Sequence, residues 1–310
     1  MTIATGANVR EAWVLETVPG TTPTSPAFQE TNFTSEAIGL TVDTIVDETI
    51  RKDGQTSDVV GGNRQVGGNM PASLRFGEFD DWLEAAMGGT WDADQPIVGT
   101  DQLKSGTIIR SFTLERYHAD IGVYFRNTGI QFSGFTLNRD ANAITTIDFT
   151  VVGLEQEPSE TALSGATYAG VNTLEPMNAF KGTFNIGGQT DACVTALTLT
   201  LDRANEPQFC IGSNIAKEQV VTTSDVTGSV SITFEDLTAY TLFSAQPYFE
   251  LEVTLLDAAG NEIKFIMPRV KYTSADIPVS GKGVITQTYE ITATHDVTTG
   301  TNLIIERTPA

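Results

Sequence analysis

Histidine and cysteine are scarce. The 310 residues contain His118 and His295, Cys193 and Cys210, and no others of either type. Two cysteines are too few for a disulfide scaffold or a zinc site. They lie apart without a flanking histidine cluster, which reads as two small buried apolar side chains in a chain that folds in a reducing cytoplasm. Basic residues are also few. There are 18 Lys and Arg against 39 Asp and Glu, a formal charge of -21. Such a chain does not wrap nucleic acid by neutralising phosphates, which needs Lys and Arg in excess on one face. No apolar run approaches the roughly 18 to 20 residues that span a bilayer. The opening Met1–Asn8 has neither a basic n-region nor an apolar h-region, so neither a membrane anchor nor a Sec-type signal is expected.

Catalytic patterns are missing too. No G-x-S-x-G elbow and no H-E-x-x-H helix occurs. His118, in Glu115-Arg116-Tyr117-His118-Ala119-Asp120, reads as the end of a strand. The run Gly61-Gly62-Asn63-Arg64-Gln65-Val66-Gly67-Gly68 lacks the Gly-Lys-Ser/Thr of a phosphate loop and reads as a flexible hairpin. Asp92-Ala93-Asp94 meets Pro96 where a calcium loop needs another ligand. No catalytic, cofactor-binding or metal-ligating residue is assigned, and no enzyme or cofactor is expected.

What is present is alternation. Hydrophobic residues make up 40% and aromatics 8% of the chain, enough for a core over about two domains of roughly 150 residues. Ser111–Arg116, Ile144–Val152, Leu197–Asp202, Gly228–Phe234 and Val284–Ile291 all alternate with period 2, the half-buried strand signature. Two segments read as helix. Glu78–Met87 places Phe79, Trp82, Leu83 and Ala86 on one face and stops at Gly88-Gly89. Glu235–Ala245 places Leu237, Tyr240, Thr241 and Ser244 at the same spacing and stops near Pro247. Phe79, Trp82, Leu83, Leu237 and Tyr240 are the candidate helix-core residues.

The two helices align, and so do their surroundings. At an offset of 158, Leu74 meets Ile232, Phe76 meets Phe234, Phe79 meets Leu237 and Trp82 meets Tyr240. Upstream, at 157, Leu40 meets Leu197. Downstream, at 140, Val123 meets Ile263, Phe125 meets Phe265 and Phe149 meets Tyr289. The change reflects extra loop around Gly89–Thr107. Parity persists, and a one-residue slip would turn a strand inside out. The reading is an internal duplication, residues 1–157 and 158–310. The charge is shared, with 22 acids and 10 bases in the first part and 17 and 8 in the second. Each part carries a long polar hairpin, Thr49–Asn69 and Asn205–Thr227, and Glu155–Pro176 is the linker and approach strand.

Several runs resemble a known family. They are Trp13-Val14-Leu15-Glu16-Thr17-Val18-Pro19-Gly20-Thr21-Thr22-Pro23, Asn32-Phe33-Thr34-Ser35-Glu36, Arg51–Gly68 with its Gly62–Gly68 ending, and Phe79–Trp91. Together they resemble the major tail tube proteins of long-tailed, siphovirus-type bacteriophages, sharply over about residues 10–155 and more loosely beyond. The resemblance implies a mainly β chain of two tandem tail-tube-like β-sandwich or half-barrel domains, each flanked by one α-helix, with long hairpin loops. It is a fold similar to that of type VI secretion tube proteins. It implies a virion protein assembled in the bacterial host cytoplasm into rings that stack as a non-contractile tail tube. The partners implied are other copies of the chain, together with tape measure, tail terminator and distal tail proteins.

Charge and size fit that expectation. Duplex DNA carries one charge per roughly 1.7 Å of axis, so an acidic wall lets it slide through without specific binding. Six domains giving about four strands each, spaced about 4.8 Å, make a barrel roughly 48 Å across at a tilt near 40°. Side chains leave about 38 Å, against about 20 Å for the duplex. Two domains per chain then predict trimeric, pseudo-sixfold rings; an outer second domain would require hexamers. Arg51, Lys52, Asp53, Gln55, Asp58, Asn63, Arg64 and Gln65 are candidate inter-ring contacts, on a segment too polar to build its own core. The second hairpin lacks the Gly-Asn-Arg-Gln run. Residues 296–310 and the arm before Trp13 are candidate inter-subunit straps. A two-domain β-sandwich adhesin or capsid-decoration protein is the alternative. A two-carboxylate glycosidase needs an aromatic cleft that three tryptophans poorly provide.

Overall fold

In Leu197-Thr198-Leu199-Thr200-Leu201 the leucines are buried and the threonines half-buried. An extended chain sends successive side chains to opposite faces, so this segment makes a strand with one dry and one wet side. The same rule shapes the rest of this computed structural model, which describes residues 3–189, 193–279 and 281–310. Strands β1 (Val9–Glu16), β2 (Ala27–Glu30), β3 (Gly39–Val46) and β4 (Val59–Ser73) lead to helix α1 (Asp80–Met87). Strands β5 (Asp101–Lys104), β6 (Ser111–His118), β7 (Val123–Asp140), β8 (Thr146–Gly153), β9 (Glu155–Ser159) and β10 (Thr167–Ala169) follow. Next come β11 (Gly182–Ile186), β12 (Val194–Asp202), β13 (Asn205–Gln208), β14 (Glu218–Val221) and β15 (Asp225–Thr233). Helix α2 (Thr238–Ala245), β16 (Phe249–Leu256), β17 (Glu262–Asp276), β18 (Thr286–Ala293) and β19 (Ile304–Thr308) complete the chain. It is mainly β, a sandwich of ladders with two helices.

One ladder runs β2-β1-β6-β7-β9 and a second runs β3-β4-β8-β7. The long strand β7 belongs to both. Further along, β11-β16-β17-β19 and β12-β15-β18-β17 repeat the plan, with β17 as the shared strand. Both shared strands break register at the same rank, between Phe132 and Gly134 and between Tyr272 and Ser274. Met70 and Phe135 flank Phe149, as Val230 and Ala275 flank Tyr289. Phe149 and Tyr289 are thus counterparts at a separation of 140. Met70 and Val230 are counterparts at 160, not 158. Leu40 opposes Val66 and Leu201 opposes Val226, so Leu40 answers to Leu201 rather than Leu197, at 161. An alternating run matches itself at every two-residue slide, which is why sequence preserved the parity and missed the register.

The Gly61–Gly68 run is not a flexible loop. It lies inside β4, paired with β3 on one side and partly with β8 on the other. A Cβ on Gly68 would stand 2.2 Å from the Ala37 carbonyl oxygen, so glycine is what lets the approach to β3 run close. The linker also differs from expectation. Strand β9 pairs with β7, and β10 pairs in parallel with β2.

Helix α1 buries Trp82, Leu83, Ala85, Ala86 and Met87, with Phe79 buried just before it. Asp80 and Asp81 sit in its first turn, where the exposed amides favour negative charge. Gly88 closes it in the left-handed conformation at φ 65°. Helix α2 corrects the sequence reading. Leu237 is 63% exposed and Tyr240 43%; the face that packs on the core is Ala239, Leu242 and Phe243. Those three share the i, i+3, i+4 spacing with the expected set, so periodicity could not choose between them. Cys193 and Cys210 are exposed free thiols, not buried ones.

The C-terminal segment is built into its own chain. Strand β19 pairs with β17 on one side and with β5 on the other. Leu303, Ile304 and Ile305 are buried, which holds the strand inside the chain. The loop around Gly89–Thr107 supplies β5 and so ties the first part of the chain to the second. The N-terminal arm is held likewise, with Thr5 and Asn8 donating to the Asp120 carboxylate.

One buried acid lacks partners. Glu11, on β1 opposite Arg116 on β6, is 1% exposed, and neither carboxylate oxygen has a hydrogen bond. Arg116 pairs instead with Glu36. Burial, and then the Glu36 charge, push the Glu11 pKa well above the ordinary carboxylate value. The folded state therefore holds this proton more tightly than the unfolded chain. Stability from the group is complete below about pH 4.5 and declines as pH rises from there through the raised folded pKa. Glu11→Gln is expected to raise the melting temperature at pH 8 and to change it little at pH 4. Thermal denaturation at both pH values checks this, and a gain confined to acid would contradict it.

Candidate functional site

Two of these ladders fuse. The second half of β7 pairs with β12, from Gly134 opposite Asp202 to Asp140 opposite Ala196. Eight strands then run side by side as β3-β4-β8-β7-β12-β15-β18-β17. Residues directly opposite each other share a face, so the registers give the composition of each face.

On one face the rows are apolar. Ala72, Ile147, Leu137, Leu199, Gly228, Ile291 and Tyr272 form one row. Met70, Phe149, Phe135, Leu201, Val226, Ala293 and Val270 form the next. These rows make the floor of the core. The rows that alternate with them, facing the other way, are mostly hydroxyls, amides and carboxylates. Ser73, Thr146, Asn138, Thr198, Ser229, Glu290 and Ser274 are one such row; Asp140, Ala196, Ser231, Thr288 and Asp276 are another. Neighbours on this face bond to one another. The Thr136 and Thr200 hydroxyls are 3.1 Å apart, Thr198 donates to Asn138 at 3.2 Å, and the Ser231 and Thr288 hydroxyls are 2.9 Å apart.

Charge on this face has one dominant sign. Asp140, Asp148, Asp202, Asp225, Asp276 and Glu290 stand on it, and among the described residues none is in an ion pair. Lys271 and Arg269 are at its end, with the ammonium 4.4 Å and the guanidinium carbon 3.8 Å from the Tyr248 ring centroid. Arg139 is buried on the opposite side, where it donates to the carbonyls of Thr254 and Lys181 at 3.0 and 2.7 Å. Burial lowers its pKa. A surface of short polar side chains and unneutralised carboxylates repels a polyanion and gives it no donor cluster to hold.

The sequence-derived contact residues fall in two places. Arg51, Lys52, Asp53, Gln55 and Asp58 lie together in the exposed loop between β3 and β4. There Arg51 and Asp53 pair at 2.9 Å and Asp53 accepts from the Gln55 amide. Asn63, Arg64 and Gln65 are half-buried on β4. Arg64 is engaged within the chain, 2.6 Å from Glu155, and its backbone amide donates to the Asn214 carbonyl at 2.7 Å. The second hairpin therefore lies on the first part of the chain. Sequence reading missed the residues of this polar face, although Thr198 and Thr200 between leucines carry their signal. It also missed Arg203, whose buried guanidinium donates to the carbonyls of Ala85 and Gly106, both at 3.2 Å, at the end of α1.

Among the described residues no helix is long and apolar enough to cross a membrane. No match to a curated protein is found. The family model described as phage tail tube protein matches residues 6–293, a stretch that takes in every strand of the eight-strand run. The family is one of structural proteins of the virion tail, not of enzymes. On that match the chain belongs to the phage tail tube protein family.

Proposed function

We propose that three copies of this chain close into a pseudo-sixfold ring, that rings stack into the tail tube, and that the hydroxyl-and-carboxylate face lines the lumen through which DNA is ejected into the host. In this reading the chain holds two tandem tube units, broadly residues 1–157 and 158–310, with β9 and β10 remaining on the first. The observation that carries it is the eight-strand wall with six carboxylates outside any ion pair and only Lys271 and Arg269, both on the Tyr248 ring, at its end. Family membership supports the tube, and the acidic wall supports the conduit better than it supports an adhesin or decoration protein. The exposed loop Arg51–Asp58 is the inter-ring contact, ordering against the next ring. Tape measure, tail terminator and distal tail proteins are the further partners. Assembly takes place in the host cytoplasm.

Cryo-microscopy of the purified protein tests the ring. Tubes with threefold symmetry and an opening of about 38 Å, wide enough for a duplex of about 20 Å, are expected; true sixfold symmetry with one inner unit per chain would end the trimer. The wall is tested separately. Thr200→Lys with Ser229→Lys is expected to make assembled tubes retain linear duplex DNA at low salt. Retention should fall steeply as salt rises, because each phosphate contact releases counterions. Unchanged DNA passage through tubes of normal form would place that face elsewhere than the lumen.

A further inference from the structure

The two halves of the chain differ in what fills the space under their helices. In the first half aromatic rings fill it. The Trp82 ring centroid lies 4.9 Å from that of Phe132, 5.3 Å from that of Phe79 and 6.2 Å from that of Trp13. Five residues of α1 are buried, and Phe79 just before it is 1% exposed. In the second half no residue of α2 is buried. A cavity of about 380 Å³ lies there, lined in part by Ala239 and Leu242 of the helix face that packs inward.

Internal counterparts account for the cavity. The separation of 160 that relates Met70 to Val230 carries through the helix. Phe79 then answers to Ala239, Trp82 to Leu242 and Leu83 to Phe243, and those three are the residues of α2 that pack inward. On the outer ladder Trp13 opposes Leu114, and Leu114 opposes Asn127. At a separation of 140 from Asn127, Met267 opposes Leu251, and Leu251 opposes Ile186. Ile186 therefore stands in the place of Trp13. Two indoles and a phenyl ring are replaced by two branched alkyl groups and a methyl. On the strands, Ala72 opposite Ile147 becomes Ile232 opposite Gln287, and Tyr272 stands for Phe132. Ile186, Ile232, Ala239, Leu242, Tyr272 and Gln287 all line the cavity. It occupies the volume that the first half fills with Trp13, Phe79 and Trp82.

We propose that this cavity is a binding site for one neutral aromatic group of about the size of an indole. Aryl rings are what the same fold packs at this place in the other half. An apolar cavity of about 150 Å³ takes up benzene, and this one is larger. Tyr272 presents a ring where Phe132 stacks on Trp82. The Tyr272 ring is held by Phe249 and Tyr289, each with its centroid 4.7 Å away. Its hydroxyl is buried without a hydrogen-bond partner, a state that costs free energy. A phenolic oxygen both donates and accepts, so a ring that carries its own N–H or O–H supplies what this hydroxyl lacks.

The rim sets the charge of the ligand. Glu235 and Asp236 are exposed at the edge of the cavity. Asp236 also accepts from the Thr238 amide at 2.8 Å, which fixes the start of α2. Among the described residues that line the cavity there is no Lys or Arg. Two carboxylates without a base turn away an anionic aromatic compound. Ile232, Tyr272 and Gln287 belong to the core side of their strands, where Tyr272 opposes the buried Ile291. The site thus lies on the opposite side of the sheet from the hydroxyl-and-carboxylate face, and it stands independently of the ring reading above.

Indole titrated into the purified full-length chain tests the site. Calorimetry is expected to show saturable binding of one indole per chain, and the melting temperature is expected to rise with indole concentration, because a ligand of the folded state stabilises it. N-acetyltryptophanamide distinguishes the sources of the aromatic group. Binding of both probes means that a side chain presented by another protein fits; binding of indole alone means that the site takes a free small molecule. Ala239→Phe and Leu242→Trp restore the first-half residues and fill the cavity from within. Each is expected to weaken indole binding at least about tenfold, a change of about 1.4 kcal/mol. If one variant fails to fold, the other carries the measurement. If neither folds, Ile186→Phe, which enlarges the side chain at the place of Trp13, is expected to give the same loss. An unmodified chain with no saturable indole binding overturns the proposal, and so does unchanged affinity in a folded, filled variant.

Discussion

Truncation after Thr301 is expected to leave a protein that no longer melts as one cooperative unit near its original temperature. The segment removed carries β19, with Leu303 and Ile305 fully buried and Ile304 5% exposed. Burial of each such side chain is worth about 1.5 to 3 kcal/mol, and compact denatured chains reduce that by roughly 10 to 40%. Three of them still account for about 3 to 8 kcal/mol, before the two ladders that β19 joins are counted. A domain stable by only about 5 to 15 kcal/mol cannot absorb that easily. Arg307 would also be lost, which pairs with Asp80 at the start of α1 and with Asp101 on β5. Calorimetry is expected to show a drop of at least about 10 °C, or two separate transitions as the halves come apart, at about 2 to 4 °C per kcal/mol for domains of this size. A melting temperature within a few degrees of the full chain would show that β19 adds little to the tie that the β7–β12 ladder already makes between the halves.

Replacing Trp82 by alanine is expected to cost about 3 to 5 kcal/mol, the range for a large aromatic removed from a core. Trp82 is 1% exposed. Its ring centroid lies 4.9 Å from that of Phe132, 5.3 Å from those of Phe79 and Phe149, and 6.2 Å from that of Trp13. These contacts fix α1 to β7, β8 and the N-terminal strand together, so the loss falls on four elements. Trp82→Phe is expected to cost much less. It keeps the ring contacts and removes a buried indole N–H that has no hydrogen-bond partner. Urea denaturation of both variants checks the pair, and equal losses would mean that the aromatic cluster is not what holds the helix.

Much of this was legible without coordinates. The Leu-x-Leu-x-Leu run could only be a strand with one dry face, and Trp82 followed from the spacing of its helix. The second helix was legible as a helix and not as a face, because Ala239, Leu242 and Phe243 share the spacing of Leu237 and Tyr240. The Gly61–Gly68 run read as a loop because glycine is a poor strand former; pairing with two neighbouring strands overrode that preference. The acidic face was visible only as threonines and aspartates of unknown direction until the pairings set them in rows.

The sequence by itself determined the parity of each strand, the sign of the charge and the kinship with tail tube proteins, because alternation, composition and motifs are carried by the chain in order. The tertiary structure alone decided which strands are neighbours: β5 reaching β19, β7 reaching β12, and the arm around Asn214 lying on Arg64. Those contacts join residues far apart in sequence. Their selection depends on the simultaneous closure of many loops and the packing of one shared core, a condition that no local pattern records.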